Sequence, residues 1–270
     1  MGKIKNDKYY TPIDLANYCV NKTKEIIGEN NITEYIEPSG GNGVFLDFLP
    51  NGTYSCDIEP EDSRIEKQDY LTLNLDYKKG RCIIGNPPFG TKLNLFVQFF
   101  NKSIEIADYI AFICPISQLN NAIKTYKFNL VYSENLGDIV YSDRKVPTCF
   151  NIYKRPINGK INSKIPNKLK DVIIKECCKN KNPKRAKLYN NFNYDYAICA
   201  WGASIGKEIQ YPSQYTKEFY FIINNRDLKD EIINCIKKAD WTKEFLMTAT
   251  PNLLHWQVIK YLKEQIPEIK

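Results

Sequence analysis

An α/β fold built on a doubly wound parallel sheet is predicted by three features of this sequence. Strand-like runs alternate with helix-like segments through the first half. The run Tyr109-Ile110-Ala111-Phe112-Ile113-Cys114 is continuously apolar, the character of a central strand buried on both faces. A Gly-rich turn, Ser39-Gly40-Gly41-Asn42-Gly43, follows one strand-like run and precedes another that ends near an acidic residue, Asp57. A smaller C-terminal α+β region is expected after this sheet.

The elements follow in order. The Thr11-Pro12 turn opens a helix through about Ile27, with Ile13, Leu15, Ala16, Cys19 and Val20 partly at helical spacing. Strands are expected near 34, 54, 66, 82 and 109, with a helix over about 93–106 between the last two. Gly137-Asp138-Ile139-Val140-Tyr141 and Val146-Pro147-Thr148-Cys149-Phe150-Asn151-Ile152-Tyr153, joined by Ser142-Asp143-Arg144-Lys145, read as a hairpin closing the sheet edge. In the second half, Tyr194 to Trp201 and Phe219 to Ile223 read as strands, and Leu228 to Lys238 and Leu253 to Lys263 as helices.

With 270 residues, 43% of them hydrophobic, the chain can bury one large or two smaller cores. No run approaches the roughly 18 apolar residues of a membrane span, and the N-terminus has no signal-peptide stretch, so an intracellular protein is expected, cytoplasmic or wherever its substrate resides. The nine cysteines contain no C-x-x-C spacing and read as reduced, mostly buried, small apolar residues; His255, between Leu254 and Trp256, reads as a packing or capping residue rather than a metal ligand. No metal site is expected. Charge is concentrated: residues 151 to 190 hold twelve Lys and Arg against Asp171 and Glu176, a local net of +10 in a chain of net +7. Interleaved with Tyr153, Ile157, Ile161 and Ile165, this block suits a nucleic-acid phosphate backbone, where a block without a partner would be a solvated face.

The chemistry is carried by two loops. Asp57 lies 14 residues after Gly43, placed to take ribose hydroxyls, but this spacing is shorter than the roughly 20 residues of a dinucleotide fold and the glycines do not spell Gly-x-Gly-x-x-Gly. An adenosine ligand other than NAD is favoured. After the apolar run Arg81-Cys82-Ile83-Ile84-Gly85, the tetrapeptide Asn86-Pro87-Pro88-Phe89 can present a side-chain amide oxygen and a backbone carbonyl together at a strand end. Two such acceptors suit an exocyclic amine.

In order along the chain, Tyr9-Tyr10-Thr11-Pro12, Glu37-Pro38-Ser39-Gly40-Gly41-Asn42-Gly43, Cys56-Asp57-Ile58, Gln68-Asp69-Tyr70-Leu71 and Asn86-Pro87-Pro88-Phe89 resemble five motifs of the amino-methyltransferases that use S-adenosylmethionine, specifically the DNA adenine-N6 methyltransferases with gamma-like motif order. The resemblance spans roughly residues 8 to 156. It implies a Rossmann-like class I methyltransferase sheet, with residues 1–156 as the cofactor-binding catalytic domain and 157–270 as a basic target-recognition region. It further implies that Tyr10, Thr11, Pro12, Glu37, Ser39, Gly41, Gly43, Asp57, Ile58, Asp69 and Asn86 serve the cofactor, and that Asn86, Pro87, Pro88 and Phe89 form the catalytic loop. Phe89 and Phe150 are the aromatic residues expected beside a flipped base. Gly41 departs from relatives, where small residues such as Ala are common, and is expected to loosen the loop slightly.

The expected reaction is direct transfer of the sulfonium methyl to adenine N6 of DNA. RNA adenine and a protein glutamine are the alternative acceptors, and a catalytically silent nucleic-acid-binding module is the second alternative. Cytosine-C5 chemistry is disfavoured because Cys114-Pro115 reverses the Pro-Cys order of that family. Oligomeric state is not legible in the sequence.

Overall fold

The computed structural model describes residues 10–141, 144–157, 159–179, 193–245 and 251–270. Two compact units emerge, Met1–Lys164 and Ile165–Lys270. The division falls later than residue 157 because Asn162 is still tied to the first unit: its N–H donates to the Lys127 carbonyl at 2.9 Å and its Nδ2 to that of Tyr126 at 3.1 Å.

The first unit begins with helix α1 (Ile13–Ile27), for which Pro12, with φ −57°, stands at the N-cap. It continues through β1 (Glu34–Glu37), β2 (Tyr54–Asp57), β3 (Glu66–Lys67), β4 (Arg81–Gly85), α2 (Asn94–Ile106), β5 (Tyr109–Pro115), β6 (Asn129–Tyr141) and β7 (Arg144–Lys154). The strands form one sheet in the order β3-β2-β1-β4-β5-β7-β6. β1 through β5 pair in parallel, and β7 enters antiparallel between β5 and β6. This is a doubly wound, Rossmann-like order. From β1 the chain runs outward to β2 and β3, then returns to place β4 on the other side of β1. The carboxyl ends of β1 and β4 therefore flank the topological switch point, where open α/β sheets hold their ligands.

β5 shows why this sheet needs a helix on each face. Ala111 and Ile113 pack with Ala16, Cys19 and Val20 of α1, while Ile110, Phe112 and Cys114 pack with Phe96, Phe99 and Phe100 of α2. All five are fully buried, as the unbroken apolar run predicts. At roughly 25 cal/mol per Å² of apolar surface, each such large side chain contributes on the order of 1.5–3 kcal/mol.

The hairpin is longer than its sequence suggests. β6 starts at Asn129, and register shifts between Leu130 and Tyr132 and between Asn135 and Gly137 interrupt the alternation that would mark it as a strand. Pro147 is tolerated inside β7 because β5 ends opposite Thr148, at Pro115, so no ladder bond from β5 is lost.

The second unit is α+β. Its antiparallel sheet has the order β8-β10-β9, from β8 (Val172–Cys178), β9 (Tyr196–Cys199) and β10 (Lys217–Ile223). Helices α3 (Lys229–Lys238), α4 (Trp241–Glu244) and α5 (His255–Gln265) share its core, with Ile232, Ile236, Trp241, Val258 and Leu262 packed against Phe219, Phe221 and Ile223. The His255 ring lies edge-on to Phe219, the packing role expected of it. β8 is an addition to the predicted elements, since the sequence there reads first as part of a basic block.

Candidate active site

β1 ends at Glu37, and the chain turns through Pro38 to Gly43 before it returns as β2. Three glycines shape this turn, Gly40, Gly41 and Gly43. A Cβ on Gly40 would stand 2.3 Å from Ser55 Oγ, so only hydrogen fits against β2. Gly41 has φ +54°, a left-handed conformation that glycine adopts without strain, and a Cβ there would meet no atom within 4 Å. Glycine is the residue suited to that φ.

Asp57, at the end of β2, ties the turn down. Its Oδ2 accepts the Gly41 N–H at 2.9 Å and its Oδ1 the Glu59 N–H at 2.8 Å. Charge-assisted bonds of this kind are roughly twice as strong as neutral ones. Asp69 does similar local work, its Oδ1 accepting the Leu71 N–H at 2.9 Å and capping a single 3-10 turn, Tyr70–Thr72. Tyr70 is thereby fixed in the interior, where its ring stacks on Phe99 at 5.3 Å.

The second loop leaves β4. The Asn86 carboxamide donates through Nδ2 to Thr11 Oγ1 at 3.2 Å, and its backbone carbonyl accepts from Ser39 Oγ at 3.3 Å. The Gly-rich turn, the segment before α1 and the Asn-Pro-Pro-Phe loop are thus fastened to one another at Asn86. Beyond it, the Phe89 carbonyl accepts the Phe96 N–H at 3.3 Å, and Lys92 and Leu93 sit at φ 54° and 68°. Two consecutive non-glycine residues in the left-handed region cost about 1–2 kcal/mol each.

These loops enclose a cavity of about 290 Å³, near the lower end of the size of small-ligand pockets. Of the residues named from sequence, it is lined by Tyr10, Ser39, Gly41, Asp57, Ile58, Asp69, Asn86 and Pro88. Pro38, Gln68, Tyr70 and Leu71, from the same motifs, complete that side. Leu95 and Phe99 of α2 add an apolar wall that the motifs do not announce; their i, i+4 spacing on a predicted helix is the signal the sequence offers.

Other expected residues lie elsewhere. Thr11, Pro12, Gly43, Pro87 and Phe89 are not part of the lining, although Thr11, Pro87 and Phe89 directly adjoin lining residues along the chain. Phe150 is fully buried among Ala16, Ile84, Ile113 and Ile152, so its expected place beside a base is corrected to core packing: β7 is an interior strand covered on this face by α1.

Glu37 lies beneath the turn rather than in the cavity, 1% exposed. Burial pushes its carboxyl up to about 8, offset in part by the hydrogen bond that Ser55 Oγ donates at 3.1 Å and reinforced by the nearby Asp57. A carboxyl raised in the folded state gives stability that is complete below its ordinary value of 4.5 and is lost as pH rises through about 8. Wild-type protein is therefore expected to lose thermal stability between pH 5 and 8.5 relative to Glu37→Gln, by on the order of a few kcal/mol. Parallel melting curves at the two pH values check this; an unchanging difference would mean that Glu37 does not titrate in that window.

Among the described residues, no group of three or more His, Cys, Asp and Glu could hold a metal ion, and no helix is long and apolar enough to cross a membrane. Seven cysteines are buried, and burial raises the Cys19, Cys56 and Cys82 thiols, in keeping with a packing role. In the basic block, Lys164, Lys168, Lys170, Lys175 and Lys179 are exposed. Arg155 instead serves the fold, paired with Asp108 at 3.1 Å and lying 4.9 Å over both the Tyr77 and Phe128 rings. Lys181, Lys184, Arg185 and Lys187 lie outside the described residues, as does Tyr9.

No family model and no curated protein matches this sequence. Solved structures do. A candidate RNA methyltransferase from Pyrococcus horikoshii is 14% identical, with a TM-score of 0.45, over 58% of this chain and 91% of that one. A candidate class I S-adenosylmethionine-dependent methyltransferase from Listeria monocytogenes is 13% identical, with a TM-score of 0.45, over 60% of this chain and 66% of that one. The M protein of the type I restriction enzyme EcoKI is 15% identical, with a TM-score of 0.38, over 57% of this chain and 45% of that one. Likenesses of this size carry no argument about chemistry, which rests on the residues above.

Proposed function

We propose that this chain is an S-adenosylmethionine-dependent methyltransferase acting on adenine N6 of DNA. The observation that carries the reading is the meeting of the two loops: Asn86 and Pro88 line the same cavity as Gly41 and Asp57. The donor set suits the cofactor. Asp57 offers carboxylate oxygens to ribose hydroxyls, Asp69 lines the cavity as a partner for a purine amine, and Ile58, Leu71, Leu95 and Phe99 give a purine apolar faces. Gly41 keeps its part of the cavity clear of a side chain.

When bound, the cofactor supplies an electrophilic methyl group. The chain's task is to make the acceptor nucleophilic and to aim it. An adenine amine is a weak nucleophile because its lone pair is delocalised into the ring. Accepting its two hydrogens at the Asn86 side-chain oxygen and the Pro87 carbonyl favours a tetrahedral nitrogen and returns the lone pair. Rigid placement and fixed dipoles then supply the rate without a strong base. Pro87 and Pro88 restrict φ in the loop, reducing what must be ordered when substrate binds. Phe89, half-buried beside this site, supplies the face on which an extruded base stacks.

The residues after about 157 act as the target-reading region in this proposal, with the basic stretch as its phosphate-binding part. Affinity for duplex DNA should fall steeply with salt, and reversing several charges between Lys160 and Lys187 should reduce the log–log slope by roughly 0.9 for each phosphate the protein no longer neutralises. A parent-like slope in the reversed protein would make the block a solvated face. The acceptor is tested by offering isotopically labelled cofactor with duplex DNA, RNA and a translation-factor protein in parallel. Label in DNA is expected; label confined to RNA or to protein glutamine would move the same loop to those substrates.

A further inference from the structure

We propose that Thr11 is a positioning residue for the transfer step, its hydroxyl holding the Asn86 carboxamide in place through Nδ2. The inference rests on the role given to Asn86 above and assigns Thr11 a task apart from cofactor contact.

The two ends of a carboxamide have almost the same shape and opposite hydrogen-bonding character. Packing alone cannot choose between them. If the NH₂ end faced an exocyclic amine, donor would meet donor, and the arrangement that pulls the amine toward tetrahedral geometry would be lost. A hydrogen bond holds the group in one arrangement, and in this structure it is the one in which Thr11 Oγ1 accepts from Asn86 Nδ2 at 3.2 Å. Ser39 fixes the backbone of the same residue through the 3.3 Å bond to its carbonyl, so side chain and main chain are both held.

Thr11 is well placed for this work. It is 7% exposed, so water competes little for the bond. It stands just before Pro12, whose carbonyl accepts the Leu15 and Ala16 N–H groups at 3.1 and 3.0 Å and so opens α1. That helix is anchored by Ala16, Cys19 and Val20 in the core. Its neighbour Tyr10 lines the cavity, whereas Thr11 does not. A residue that touches Asn86 but not the cofactor cavity should affect turnover without affecting cofactor affinity.

The test compares wild type with Thr11→Val, which keeps the shape and removes the hydroxyl, and Thr11→Ser, which keeps the hydroxyl. Thr11→Val is expected to lower kcat roughly tenfold, the scale of one hydrogen bond removed, with cofactor Kd and the melting temperature nearly unchanged. Thr11→Ser should restore most of the rate. In the double variant Thr11→Val with Asn86→Ala, the loss should be no greater than for Asn86→Ala alone, because both act through one group. In the NMR spectrum of the apoprotein, the Asn86 side-chain NH₂ signals should move in Thr11→Val and return in Thr11→Ser. If Thr11→Val does not fold, Thr11→Ala carries the same comparison. An active wild type with an equally active Thr11→Val would overturn this inference alone, as would a rate loss matched by an equal loss of cofactor affinity or a loss additive with Asn86→Ala. A wild type that transfers methyl to none of the acceptors would overturn the functional reading, and this inference with it.

Discussion

Asn86→Ala is expected to lower the methylation rate at least about a hundredfold while cofactor affinity stays within a few-fold. The carboxamide is assigned to accept a hydrogen from the target amine, and that interaction is at its best as the nitrogen becomes tetrahedral. Its loss therefore falls on turnover, on the scale seen when a transition-state hydrogen-bond partner is removed. The structure limits the side effects. Asn86 is joined to the Gly-rich turn by its backbone carbonyl, which the substitution leaves in place, and the turn keeps its own tie through Asp57. Single-turnover rates with saturating cofactor, set beside calorimetric cofactor affinity, separate the two quantities. A variant that loses affinity and rate together would place Asn86 in cofactor binding rather than in catalysis.

Asp57→Ala is expected to weaken S-adenosylmethionine binding roughly 10- to 100-fold. Hydrogen bonds to a charged group are worth about 1.5–3 kcal/mol, and about 1.4 kcal/mol is a factor of ten in affinity. The carboxylate also holds the Gly41 and Glu59 N–H groups, so its removal both deletes a ligand partner and releases the turn. Asp57→Asn separates these effects: its amide oxygen can keep one backbone bond while the charge is gone. Calorimetry on both variants reads the outcome, and unchanged affinity in Asp57→Ala would remove Asp57 from the site.

The features legible in the sequence are local and rhythmic. The Glu34-to-Gly43 strand and turn, the acidic end of β2 and the double-faced apolar run of β5 all carry their structural cause within a few neighbouring residues, and the structure places them accordingly. The first half of β6 is not legible in this way, because its two register shifts break the period of two that identifies a strand. β8 is hidden by its surroundings. Val172-Ile173-Ile174 is a strand-like run, but the lysines on either side give the stretch the character of a charged surface segment.

Phe150 departs from expectation for a related reason. An aromatic residue in a strand looks alike whether it faces a substrate or a helix, and only the insertion of β7 between β5 and β6 decides that it faces α1. The bond from Asn86 to Thr11 spans 75 positions. Each residue can be singled out from its own motif, but their meeting is a property of the fold, as is the arrival of Leu95 and Phe99 at the same cavity.

The most direct test of the central claim is the identity of the methylated nucleoside. Wild-type protein, S-adenosylmethionine and mixed-sequence DNA are incubated together, the DNA is digested to nucleosides, and the products are analysed by mass, with Asn86→Ala as the control. The expected result is N6-methyladenosine of the deoxy series from wild type and its near absence from the variant. Methylcytosine in the DNA, or unmodified DNA alongside methylglutamine in a protein substrate, would contradict the assignment of the Asn86 loop to adenine.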